Sequence, residues 1–104
     1  PLRIDPPQAR LWTANARVVD GEDQAKIGDG GYTIGARARQ IRDGLLRRER
    51  IGESDLLAIQ LDHEAVFMQR WWTLLQSVSE ASQHPELKRL QQASRQWDGA
   101  ASVD

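Results

Sequence analysis

The sequence predicts a mainly α chain, in which a short N-terminal extended or β segment is followed by three helices. Two observations predict it. From Ala36 onward, apolar residues recur at helical spacing and the helices are punctuated by Gly and Pro. Before Ala36 that spacing is absent, and Pro6-Pro7, Asp20-Gly21 and Asp29-Gly30-Gly31 break the chain repeatedly. Residues 1–35 therefore read as an extended segment, a short strand and a Gly-rich loop, 36–99 as a three-helix region, and 100–104 as a tail.

The elements follow in order. Pro6-Pro7 blocks helix and favours extended or turn geometry. Residues 10–14 are the strand candidate, with Leu11, Trp12 and the β-branched Thr13. The stretch to Gly31 reads mostly as loop, and "YTIG" (32–35) as a second brief strand or a turn. The first helix starts at Ala36, with Ile41, Leu45 and Leu46 on one side and arginines over the others. Arg47, Arg48 and Arg50 crowd its end, where positive charge complements the helix dipole, and Gly52 is placed for a left-handed cap.

The second helix is expected from Ser54, an N-cap residue, to Ala81. Its face is Leu56, Ile59, Val66, Phe67, Trp71, Leu74, Leu75 and Val78. The third starts at Pro85, suited to the first helical position, and presents Leu87, Leu90, Ala93, Ser94 and Trp97 up to a stop at Gly99.

Composition excludes several functions. The 104 residues are 39% hydrophobic and 28% charged, which fits a globular segment. A net charge of −1 gives no pull toward nucleic acid or an anionic membrane. The chain has no cysteine, so disulfides, thiolate metal sites and a cysteine nucleophile are ruled out. No apolar run in the sequence is long enough to span a bilayer. Pro1 and the tail "GAASVD" read as excision points, which suggests a chain cut from something longer.

Most local clusters are bland. Asp62, His63 and Glu64 are consecutive on a helix and point in different directions, so they do not form a metal set. "GDGG" lacks the lysine and spacing of a phosphate loop. "RRER" reads as a solvated helix end. Trp71 and Trp72 cannot share a helix face, so one is expected in the core and the other against a neighbour.

Four stretches remain: "TANAR" (13–17), Arg37 four residues before Ile41, Ile59-Gln60-Leu61-Asp62, and Trp97-Asp98-Gly99. In order and coarse spacing they resemble the penicillin acylase (penicillin amidase) family, which includes acyl-homoserine-lactone acylases. The resemblance covers residues 6–99. It implies an internal fragment of the large subunit of an N-terminal nucleophile hydrolase, an excised part of one larger domain of αββα type.

The family's chemistry is implied by that resemblance. A Ser at the start of the processed large subunit attacks an amide, and its own α-amino group is the base. Asn15 matches the asparagine that donates to the oxyanion, and Arg37 matches the arginine beside the nucleophile's amine. Ala16 stands where the family often has a second Asn, and no role is carried onto it. The chain begins with Pro1, so the nucleophile is expected from elsewhere and the fragment alone to be inactive.

The resemblance implies no cofactor for the chemistry, and a structural calcium in the full enzyme. Asp23 and Asp29 lie in the loop that gives the family one calcium ligand, and neither is assigned. The implied partners are the remainder of the large subunit, the small subunit and a small-molecule acyl amide substrate, with no nucleic acid and no membrane. The implied location is the periplasm. The alternative is a small helical protein-interaction module, with Trp71 or Trp72 as anchor and Asn15 merely turning the chain.

Overall fold

The computed structural model describes residues 5–101. Five helices follow one another: α1 (Gly21–Ile27), α2 (Ala36–Leu46), α3 (Glu53–Gln60), α4 (Val66–Ala81) and α5 (Pro85–Ser94). The mainly α class holds, but the number of helices does not: five are formed where three are expected. The chain divides into two compact units, residues 1–62 and 63–104.

In the first unit, residues 10–14 do not form a strand. They have no regular secondary structure, and the pairing that follows them is a single parallel bridge between Ala16 and Thr33. Neither Ala nor Asn favours a ladder, so pairing stops after one step. The stretch expected to be loop contains α1. Glu22 and Asp23 sit in its first turn and Lys26 in its last, each complementing the helix dipole. Gly28 ends it at φ +86°, where its N–H reaches Gln24 O at 2.8 Å.

α2 packs on α3. Leu45 is buried at the contact level of a core residue, 7% exposed. A Cβ built on Gly44 would stand 3.2 Å from Ile59 Cγ1, so a glycine is what lets the two helices approach. Gly52 is not the left-handed cap of α2. Its φ is −103°, and it is the N-cap of α3, with its N–H donating to Asp55 Oδ2 at 2.9 Å. Asp55 takes the role expected of Ser54, because its carboxylate reaches back one turn. α2 is closed instead by Arg48, whose Nη1 donates to Gly44 O at 2.7 Å and whose Nε pairs with Asp55 at 3.3 Å.

The expected helix 54–81 is interrupted between α3 and α4. In the second unit, residues 63–65 are drawn into extended pairing with the segment after α5. Ala65 N donates to Gly99 O at 2.8 Å, Ala101 N donates to His63 O at 2.9 Å, and Glu64 bridges Ala100 antiparallel. Backbone groups committed to that pairing are lost to a helix.

α4 packs on α5 through a polar seam. Trp72 Nε1 donates to Ser94 O (2.9 Å), Gln76 Nε2 to Ser94 Oγ (2.7 Å) and Gln91 Nε2 to Gln76 O (3.3 Å). Gln91 and Ser79 are buried there, whereas Leu90 is exposed. The α5 face is thus turned one position from the apolar pattern, because Gln91 donates to the Gln76 carbonyl and Ser94 accepts from Trp72 and Gln76. Val66, Leu74 and Val78, expected on the apolar face, lie on the exposed side of α4, and of the two tryptophans it is Trp71 that is exposed.

α5 ends at Ser94, short of Trp97. Trp97-Asp98-Gly99 is a corner. Trp97 packs on Trp72 at 6.3 Å between ring centroids, and its Nε1 donates to Ala100 O at 2.8 Å. Asp98 Oδ1 accepts from Ala100 N at 2.9 Å, and Gly99 has φ +88°.

Candidate functional site

The candidate site lies in the first unit, where the segment of Asn15 meets the entry to α2. Asp29-Gly30-Gly31 makes the return. Gly31 N donates to Asp29 Oδ1 at 3.0 Å and Gly31 adopts φ +73°, so the chain reverses in a tight Asx turn. Thr33 then comes alongside residue 15. Its N–H donates to Asn15 O at 2.8 Å, and its Oγ1 donates to the same oxygen at 3.0 Å.

Ala16 is the anchor of this contact. It is 8% exposed, the one fully buried hydrophobic of its segment among the described residues. A Cβ built on Gly35 would lie 3.8 Å from Ala16 Cβ, an ordinary contact distance, so Ala16 sits close to the start of α2.

Asn15 and Arg37 are both exposed. Their backbones belong to adjacent segments: Asn15 is bonded to Thr33, and Arg37 is the second residue of α2. Their side chains are not joined. Neither the Asn15 carboxamide nor the Arg37 guanidinium has a hydrogen-bond or ion-pair partner among the described residues.

Arg37 breaks a local rule. The first turn of α2 contains no acidic residue and carries Arg37 and Arg39. A cation there opposes the positive end of the helix dipole, an unfavourable placement of about 0.3–1 kcal/mol per charge. Residues that violate a local preference without a structural return are often retained for function.

A groove of about 530 Å³ runs along the same segment, lined in part by Leu11, Trp12, Ala14, Ala16, Arg17 and Val18. Asn15 is not among the lining residues.

The acidic candidates of the loop are engaged. Asp23 pairs with Lys26 at 3.6 Å, and Asp29 holds the turn described above. No group of three or more His, Asp or Glu residues able to hold a metal occurs among the described residues. These residues do not build a calcium site by themselves. No helix among them is long and apolar enough to cross a membrane.

Thr33 is the residue that sequence reasoning missed. A β-branched residue just after an Asp-Gly-Gly turn is a strand signal, and "YTIG" carries it. Its partner, Asn15, lies eighteen residues away across α1 and leaves no local signal.

Comparison with known proteins places the chain among hydrolases of the amidase type. The family model for penicillin amidase matches residues 1–104, and the chain belongs to that family. No curated protein and no solved structure gives a significant match.

Proposed function

We propose that this chain contributes Asn15 and Arg37 to the active site of an amidohydrolase that cleaves an acyl–amide bond through an acyl-enzyme intermediate. The observation that supports the reading is the double hydrogen bond from Thr33 to Asn15 O. It fixes the main chain at Asn15 and leaves the carboxamide exposed and unengaged. A donor held by its own backbone, not by its amide, is ready for a new charge.

The steps follow from ordinary acyl transfer. A hydroxyl oxygen at the N-terminus of the processed subunit attacks the substrate carbonyl carbon, and the free α-amino group of the same residue takes the proton. The carbonyl oxygen becomes an oxyanion, which the Asn15 N–H stabilises. The C–N bond breaks, and the amine leaves with the proton. Water then attacks the ester by the same route and releases the acid. Removing one such donor costs about 10²–10³ in turnover.

Arg37 serves two ends. The two side chains are not joined here, and in the assembled site the guanidinium would take the Asn15 carboxamide oxygen and turn its N–H toward the oxyanion. Its charge disfavours protonation of the neighbouring α-amine, so more of the base is free near neutral pH. In this reading the rest of the large subunit and the small subunit supply the nucleophile and the substrate pocket. The substrate is a small acyl amide, the chemistry needs no cofactor, and the enzyme works in the periplasm after processing from a precursor.

Family membership weighs against an interaction module with no catalytic ancestry. Trp71, 55% exposed beside Phe67 at 6.4 Å, fits a surface that other parts of the enzyme cover. The test is Asn15→Ala in the complete enzyme. Turnover should fall by orders of magnitude with the fold intact, and normal turnover would remove Asn15 from the mechanism.

A further inference from the structure

We infer that Thr33 is a positioning residue for the reaction, acting through the backbone of Asn15. The inference rests on the role proposed for Asn15. Thr33 touches no reacting atom. Its hydroxyl and its N–H converge on a single acceptor, Asn15 O, at 3.0 and 2.8 Å. Two donors from one residue resist both the shift and the tilt of the Asn15 peptide, where one would act as a pivot.

The second bond is not required by the fold. The N–H of Thr33 already belongs to the parallel bridge with Ala16, and Thr33 is exposed, so its hydroxyl could be hydrated at no loss. Spending it on the carbonyl of Asn15 narrows the directions available to the Asn15 side chain. The neighbouring residue points the same way: Ala16, next in the chain to Asn15, is buried and lies near Gly35, one residue ahead of α2. Orientation is the quantity that matters for an oxyanion donor, because a displacement well under 1 Å weakens the bond formed in the transition state.

The experiment uses the complete enzyme and compares five variants with the parent. Thr33→Val removes the hydroxyl, keeps the backbone donor and keeps the β-branched shape. We expect kcat to fall roughly three- to tenfold, the range of one hydrogen bond, with KM within about twofold of the parent. Thr33→Ser restores the hydroxyl and is expected to restore kcat. Thr33→Ala removes the same group with a different packing change, and gives the same kcat loss if the hydroxyl is responsible. In an Asn15→Ala background, Thr33→Val should have no further effect on kcat.

An undiminished kcat in both Thr33→Val and Thr33→Ala overturns the inference. So does an equal loss with and without Asn15, which makes Thr33 act by another route while leaving Asn15 in place. Failure of Thr33→Ser to recover the rate also overturns it. Normal turnover in Asn15→Ala alone sinks the reading of the site itself, and is thereby distinguished from failure of the Thr33 inference.

Discussion

Thr33 holds Asn15 by two hydrogen bonds to one carbonyl, and neither bond uses the Asn15 side chain. The main chain is fixed and the amide is left exposed. That division of labour separates a turn residue from a donor: an asparagine that merely turns the chain commonly bonds its own backbone two residues on. Asp29 and Asp98 do so in this same protein, each accepting from the N–H two residues ahead. Asn15 does not.

Arg37 should trade stability for activity. Its charge opposes the dipole at the start of α2. Arg37→Gln is expected to leave stability equal or raise it by up to about 1 kcal/mol, while kcat falls. The acid limb of the pH–rate profile should also move to higher pH, because loss of a cation favours the protonated amine. Thermal melts and a pH profile of the complete enzyme check both.

Gly44 should be intolerant of branched side chains. The built Cβ lies 3.2 Å from Ile59 Cγ1, and 3.5 and 3.6 Å from Cδ1 and Cγ2. Gly44→Val drives further atoms into Ile59 and is expected to destabilise by about 1–3 kcal/mol. Denaturant melts measure it.

Gly99→Ala should loosen the corner after α5. Gly99 has φ +88°, and a Cβ there would meet Gln69 Nε2 at 3.5 Å. The space is ordinary, so the conformation carries the cost, about 1–2 kcal/mol for an L-residue. Trp97 fluorescence should report it, since Trp97 bonds to Ala100 across that corner.

Asp55 should make the α2–α3 unit sensitive to acid. The Gly52 N–H holds its carboxyl below the ordinary aspartate value of 3.8, and Arg48 acts in the same sense. A lowered folded-state pKa means stability that is complete above the unfolded value and is lost as pH falls through the folded one. Asp55→Asn should flatten the stability–pH curve below pH 3.8, as followed by helical circular dichroism.

The mainly α class and the helix starts at Ala36 and Pro85 were legible, because periodicity and a first-turn proline are local signals. The interruption before α4 was not. Leu56 to Val78 keeps helical spacing throughout, and only the backbone bonds of residues 63–65 to 99–101 break it. The rotated face of α5 was hidden for a related reason, since Gln91 is buried by a hydrogen bond that hydropathy does not count. At the site, Asn15 and Arg37 could be named from a motif, but Thr33 depended on a pairing formed across α1.

The most direct test is steady-state kinetics of the complete enzyme carrying Asn15→Ala, with the fold checked by circular dichroism. The account predicts a fall in kcat of about 10²–10³ with little change in KM, because the donor acts on charge that exists only in the transition state. Turnover within a few fold of the parent, in a properly folded variant, would contradict it.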